Sequence, residues 1–203
     1  MASISPRTLI EKLNPTCHKA LDAAAGLCLS QTHFSIEIDH WFIKLIENAA
    51  ADFTPVFRHF QIDPAKVKLQ LDATIRHFKT GNGRAPSLAV EVFDLIREAW
   101  VLASLEYGAP QVRSGHLLVA ALTERTIGMR LKSSSLELAR IPADRLLAEF
   151  KSIVEGSDSE ENVMEAAAVA AQAPAADGSP RPAANSKTPN LDQYTHNLTA
   201  QVK

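Results

Sequence analysis

The sequence lacks the features that mark membrane-spanning, secreted and nucleic-acid-binding proteins. None of its apolar runs reaches the roughly 18 residues that a transmembrane helix needs. Residues 1–7 have neither the basic nor the apolar region of a secretory signal. Lysine and arginine total 21 against 23 aspartates and glutamates, without a long basic run, which disfavours a broad phosphate-binding surface. We therefore expect a cytoplasmic protein whose partner is neither a membrane nor a nucleic acid.

Only two cysteines are present, and they cannot bridge each other. Cys17 and Cys28 fall on one predicted helix, eleven residues apart, which separates their Cα atoms by roughly 16 Å. A disulfide needs Cα atoms within about 7 Å of one another. Eleven residues are close to three helical turns, so both thiols lie on the same face. We predict that they pack as small buried hydrophobes, with a redox pair as the alternative.

Motifs for catalysis and for metal or cofactor binding are also scarce. Gly81-Asn82-Gly83 is not followed by the lysine and hydroxyl residue of a phosphate-binding loop, and we interpret it as a hinge between two helical units. No histidine pair has metalloprotease spacing, and no Cys-x-x-Cys occurs. The serines at 133–135 lie outside any nucleophile elbow and are predicted to form a polar loop. The chain is therefore predicted not to be an enzyme itself and to bind no metal or cofactor.

The composition divides the chain into three parts. Residues 1–155 carry apolar side chains at helical spacing and are predicted to form one domain. Residues 156–189 are rich in alanine, proline and serine and lack the large apolar side chains that offset ordering entropy. They are therefore interpreted as a flexible linker, in which the alanines at 165–173 favour a short helix. Residues 190–203 form a further segment that is too short to bury a core.

Within residues 1–155 the pattern predicts at least eight helices and almost no strand. Pro6 after Ser5 starts a helix that we expect to continue to Leu13, since proline suits the first helical position. Asn14 and Asp63 each precede a proline and are predicted to cap the next helices. Gly and Pro residues then separate the helical segments from one another.

The second half of this region repeats the first. Residues 112–118 echo residues 36–42, which places His40 and His116 in matching positions, 76 residues apart, at the start of two apolar helices. Because their positions are equivalent, we predict that both histidines form local hydrogen bonds rather than bind a metal. The expected architecture is all-α: two similar four-helix units about a pseudo-twofold axis, with an extra N-terminal helix. Trp41 and Trp100 are predicted to lie in the core.

This doubled unit resembles the N-terminal domain family of the Clp AAA+ ATPases. The residues that carry the resemblance lie at 20–24, 38–42 and 114–122, and the likeness extends over residues 14–155. Residues 191–199 are similar to the segment that opens the first ATPase domain of Clp/Hsp100 proteins. That similarity implies that residues 190–203 begin such a domain, with ATP and Mg²⁺ bound further along the parent chain. The N-terminal helix and residues 39–47 are similar to the ClpV type.

The resemblance to ClpV proteins implies a substrate-recognition domain of a type VI secretion system. Its partner would be an amphipathic helix at the N-terminus of the larger contractile-sheath subunit, and the homohexameric parent would disassemble the sheath. The alternative is the N-domain of a general ClpB- or ClpA-like unfoldase, which binds unfolded chains or an adaptor. A bundle that only assembles with itself and an independent hydrolase are more distant alternatives. We expect this chain itself to be a monomer.

The extra N-terminal helix suggests where a partner helix would bind. Leu9 and Leu13 are one turn apart on it, and we hypothesise that the helix leans on the one beginning at Pro15 and leaves a shallow apolar groove. The alternative is that this helix only closes the core. The candidate groove residues, with two from the start of the second repeat forming the far wall, are Leu9, Leu13, Cys17, Ala20, Leu21, Phe93 and Asp94.

Overall fold

The protein is described by a computed structural model over residues 5–155 and residue 161, and this part contains ten helices and two short strands. The all-α prediction is therefore confirmed. The predicted segment at 190–203, and the predicted linker at 156–189 apart from Glu161, lie outside the described residues. The helices are α1 (Pro6–Ile10), α2 (Pro15–Ser30), α3 (Ile38–Glu47), α4 (Phe53–His59), α5 (Pro64–Ile75), α6 (Val90–Leu105), α7 (Ser114–Thr123), α8 (Arg125–Ser134), α9 (Leu136–Ala139) and α10 (Ala143–Glu155). The strands are β1 (Ser35–Ile36) and β2 (Ser87–Leu88).

The helix starts follow the predicted caps. The side chain of Asn14 accepts a hydrogen bond from the backbone N–H of Cys17 at 2.8 Å, and that of Asp63 accepts one from Ala65 at 2.9 Å. Pro6 begins α1 as expected, but this helix ends at Ile10 instead of continuing to Leu13. Its early end has a long-range cause, because the following residues form backbone hydrogen bonds with a distant part of the chain.

A backbone joint connects the chain before α2 to the chain before α7. Leu13 forms a parallel bridge with Val112. The N–H of Val112 donates to the carbonyl of Lys12 at 2.7 Å, and the N–H of Asn14 donates to the carbonyl of Val112 at 2.8 Å. A helical continuation through Lys12 and Leu13 would turn these groups along the helix axis, so the joint and a longer α1 exclude each other.

A second joint, between β1 and β2, repeats the first in the other half. These strands pair in parallel, with Ile36 opposite Leu88. Leu88 precedes α6, the counterpart of α2, and Ile36 precedes α3, the counterpart of α7. Each repeat therefore contributes one partner to each joint, which is the arrangement that a pseudo-twofold axis requires. The two equivalent backbone pairings confirm the predicted duplication.

The core forms where the paired helices of each repeat meet. Helix α2 packs on α3 and α6 on α7, while α5 and α10 pack on α3 and α7 respectively. Cys17 and Cys28 are both buried and free, as predicted. Trp41 is fully buried and donates from Nε1 to the carbonyl of Cys17 at 3.1 Å. Trp100 differs from the prediction, because it is only partly buried against the edge of the core.

Two of the three serines expected in a loop are helical. Ser133 and Ser134 end α8, and the hydroxyl of Ser134 donates to the carbonyl of Arg130 at 3.1 Å. Ser135 separates two helices, and its side chain caps α9 by accepting from the N–H of Leu138 at 3.2 Å. The predicted loop is therefore the end of α8 followed by the capping residue of α9.

Among residues 5–155, no helix is both long and apolar enough to cross a bilayer.

His40 and His116 occupy the equivalent helix-start positions that the repeat predicts. Nδ1 of His40 accepts from the N–H of Glu37 at 3.1 Å, and Nδ1 of His116 accepts from the N–H of Arg113 at 3.4 Å. Burial lowers the pKa of His40 to about 4 and that of His116 to about 3. Both imidazoles are therefore neutral at pH 7, in the form that can accept these hydrogen bonds.

We expect the buried, neutral His116 to make the protein less stable as the pH falls. Its folded pKa lies below the usual 6.5, so between pH 6.5 and about 3 the unfolded chain binds a proton that the folded chain does not. This difference in proton binding lowers the free energy of unfolding by about 2 kcal/mol between pH 7 and pH 5. Replacing His116 by Gln should reduce the loss of unfolding free energy between these pH values by about that amount, measured by urea denaturation. The surface variant His77→Gln is the control, and equal pH dependence in all three proteins would contradict the assignment.

Two helical glycines should respond in opposite ways to alanine. A Cβ at Gly115 would overlap the ring of Phe150 and crowd Asp52, whereas a Cβ at Gly26 would meet nothing within 4 Å. We expect Gly115→Ala to lower the unfolding free energy by about 1–3 kcal/mol through overpacking. Gly26→Ala should raise it by up to about 1 kcal/mol, since alanine favours the helix. Thermal melts of both variants test this, and a neutral Gly115→Ala would contradict the packing of α7 on α10.

Candidate peptide-binding edge at helices α1 and α6

The first five predicted groove residues are buried. Leu9, Leu13, Cys17, Ala20 and Leu21 are between 0 and 6% exposed. Their side chains belong to the hydrophobic core and fix α1 and α2 on the domain. Their expected role is therefore revised: in this structure they support the surface near α1 from below and offer little area to a partner.

The N-terminal helix also packs on a different neighbour from the one expected. Helix α1 contacts α6 rather than lying along α2. The physical reason is the Leu13–Val112 joint, which ties the end of the α1 segment to the chain that follows α6. Sequence spacing cannot reveal this, because Asn14-Pro15 is equally compatible with a chain that folds back on α2.

The α1–α6 contact leaves a partly exposed apolar surface, which we call the α1–α6 edge. On α1, Ile10 is partly buried and packs against the core, and so do Phe93 and Trp100 on the neighbouring α6. Phe93 and Trp100 are seven residues apart on α6, so they lie on the same side of that helix. Lys12 places its ammonium 4.5 Å from the centre of the Trp100 ring, which joins the end of the α1 segment to the same side of α6.

Charged groups accompany this edge. Asp94, the last predicted groove residue, is partly buried and pairs with Arg97 at 2.9 Å. Arg7 and Glu11 form an exposed pair one turn apart at 3.0 Å. An amphipathic helix would find apolar side chains in the middle of the edge and charges of both signs at its rim. Sequence reasoning named Phe93 and Asp94, but it did not place Ile10 in the candidate set and it assigned Trp100 to the core.

A separate cleft lies on another side of α6. Its volume is about 290 Å³, and three of its residues are glutamates while Val101 and Leu105 are exposed. Leu105 is twelve residues from Phe93, which places it about 120° around the helix. The cleft is therefore distinct from the α1–α6 edge, and its lining residues are Glu98, Val101, Leu102, Leu105, Glu106, Ala120, Thr123 and Glu124.

Cys28, His33 and His40 form a buried cluster whose ligand atoms lie within 4.8 Å of one another. Their hydrogen bonds explain the cluster without an ion. Nδ1 of His40 accepts a backbone N–H, so the proton is on Nε2, which donates to Nδ1 of His33 at 2.9 Å. The Cys28 thiol donates to the carbonyl of Ser35 at 3.2 Å, and burial raises its pKa. The ring nitrogens that face the cluster are thus already engaged, and the cluster stabilises the start of α3.

Comparison with known proteins agrees with this architecture. A family described as the Clp repeat (R) N-terminal domain matches residues 12–133. The AAA+ ATPase ClpV1 of Pseudomonas aeruginosa is 30% identical over 206 residues, covering 100% of this chain and 23% of that protein. The chaperone protein ClpB of Yersinia enterocolitica is 29% identical over 99% of this chain and 23% of its own length. The chain therefore spans less than a quarter of these relatives.

Two solved structures share the fold. One, from work on the coevolution of the ATPase ClpV, the TssB-TssC sheath and the accessory HsiE protein, has a TM-score of 0.73 and 28% identity. The alignment covers 78% of this chain and 98% of that one. The other is a complex of a ClpV N-domain with a VipB peptide, with a TM-score of 0.63 and 25% identity over 78% and 97% of the two chains. With its family match, its helical duplication and its additional α1, the chain belongs to the Clp repeat N-terminal domain family and is similar to the N-domains of ClpV ATPases.

Proposed function

We propose that this chain is the substrate-recognition domain of a ClpV-type unfoldase and that it binds an amphipathic helix of a type VI sheath subunit along the α1–α6 edge. The observation that carries the proposal is the edge itself. It is an apolar strip on two packed helices, and a ClpV N-domain of the same fold forms a complex with a VipB peptide. The parent protein would be a homohexamer that binds ATP and Mg²⁺ in its ATPase domains.

The mechanism that suits this geometry is capture without catalysis. A partner helix would insert apolar side chains at helical spacing between Ile10 and the two aromatic residues Phe93 and Trp100. The buried leucines under α1 would keep that strip in place, so little ordering would accompany binding. The remainder of the parent would then apply the work of ATP hydrolysis to the captured chain.

A single short helix on a shallow edge buries little area, which puts the complex in the class of weak and transient interactions. Six copies in a hexamer would raise the effective affinity for a sheath that presents many identical helices. This favours an assembled, repetitive substrate over an isolated subunit.

The second candidate function is that of a general ClpB-like N-domain, and the 29% identity to ClpB favours it. Such a domain would bind exposed apolar segments of unfolded chains, with little dependence on their sequence. The two functions differ in what they bind, and they can be separated by comparing one defined helix with a generic unfolded protein.

We expect the 203-residue chain to bind the N-terminal peptide of the larger sheath subunit with an affinity in the micromolar range, measured by calorimetry. Phe93→Ala should weaken this binding about tenfold, because it removes an aromatic contact from the middle of the edge. Leu105→Ala, on the same helix but in the separate cleft, is the matched control and should bind like the unmodified chain.

Two results would contradict the proposal. If Leu105→Ala weakened binding while Phe93→Ala did not, the cleft of about 290 Å³ would be the site instead of the α1–α6 edge. If the chain bound a permanently unfolded protein but not the sheath peptide, the general unfoldase function would replace the sheath-specific one. Circular dichroism of each variant establishes that the helices remain folded.

A further inference from the structure

Glu161 is buried although it lies beyond the last described helix. It is the one described residue after Glu155, six positions further along the chain, and it is only 1% exposed. A carboxylate that leaves water is strongly destabilised unless hydrogen-bond donors replace its hydration shell. The surroundings of Glu161 supply such donors.

Four hydrogen-bond donors converge on this carboxylate from three separate parts of the chain. The side-chain amide of Asn14 donates to it at 2.6 Å. Ser114 donates twice, from its backbone N–H at 2.8 Å and from its hydroxyl. The backbone N–H of Asp52 donates at 3.2 Å. Three of these donors are at helix starts: the Asn14 side chain caps α2, and both Ser114 donors belong to the first residue of α7, where unpaired N–H groups favour an anion.

The charges around Glu161 are arranged to keep this site intact. Arg113 binds Asp52 through two hydrogen bonds, from Nε at 2.6 Å and from Nη2 at 2.7 Å, and both residues are buried. Arg113 therefore offsets part of the negative charge that Asp52 places beside Glu161. Cys17, which also faces the cluster, has its pKa raised by burial and stays neutral.

We propose that Asn14, Asp52 and Ser114 form a binding site for the carboxyl group of Glu161, which holds this residue at the junction of the two repeats. The site is preformed by elements that the fold positions independently of Glu161: the cap of α2, the start of α7 and the turn before α4. Glu161 is thereby held beside Asn14, whose backbone N–H donates to Val112 in the joint that positions α1.

Docking through this site depends on pH. Burial, with a smaller contribution from Asp52, raises the pKa of Glu161 to about 7. The docked carboxyl holds its proton more tightly than an undocked one, whose ordinary pKa is 4.5. Docking is therefore strongest below that ordinary value, weakens as the pH rises towards 7, and is constant above it. The docking equilibrium constant therefore falls roughly three-hundredfold between the two plateaus.

The test uses the full 203-residue chain and follows the amide of Ser114. In Glu161→Ala this N–H loses its acceptor, so its hydrogen exchange should accelerate at least tenfold. Glu155→Ala removes an exposed glutamate at the end of α10 and is the matched control, which should leave that exchange unchanged. The N–H of Cys17, which donates to Asn14 Oδ1, should stay protected in both variants and thereby report that α2 is folded.

A second measurement on the unmodified chain needs no variant. The carboxyl carbon of Glu161, followed by NMR, should titrate near pH 7. A midpoint near 4.5, together with equal Ser114 exchange in Glu161→Ala and Glu155→Ala, would overturn the proposal. Neither measurement involves a sheath peptide, so its outcome is independent of the proposed function.

Discussion

The pair of backbone hydrogen bonds between Lys12, Val112 and Asn14 determines much of what is specific to this domain. It ends α1 at Ile10, because the next residues bond to a distant segment instead of continuing the helix. It also draws α1 onto α6, since Val112 follows that helix. Two features lie next to these bonds: the α1–α6 edge, and the site in which Asn14, Asp52 and Ser114 bind Glu161.

The same joint in the other half of the molecule shows what α1 adds. There β2 follows a loop, not a helix, and Asn82 in that loop donates to the carbonyl of Thr32 at 2.9 Å. The duplicated core is thus nearly symmetric, whereas α1 exists on one side alone among the described residues. A surface that depends on α1 occurs once in the domain, which suits the recognition of one helix per domain. The buried residues under α1 hold this additional helix against one half of the domain.

Much of the fold could be predicted from local chemistry. Asn14 and Asp63 cap their helices because their side chains accept orphan N–H groups, a signal that needs only a few residues of sequence. The repeated helix-start histidines disclosed the duplication, and their local hydrogen bonds agree with it. The packing of α1 on α6 could not be predicted, because it depends on a backbone bridge between residues 13 and 112 that leaves no periodic pattern. The bridge also holds Leu13 in the core, whereas Cys17, Ala20 and Leu21 are buried on α2, which packs on α3. Glu161 was also missed, since its sequence context is polar and its donors are dispersed through the chain.

The central claim is that a partner helix binds where α1 meets α6. It is tested most directly by mapping amide and indole chemical-shift changes of the isotopically labelled chain during titration with the N-terminal peptide of the larger sheath subunit. The account predicts that the largest changes occur at Ile10, Lys12, Phe93 and the indole N–H of Trp100, with the buried indole of Trp41 little affected. Changes that cluster instead at Val101, Leu105 and Ala120 would contradict it.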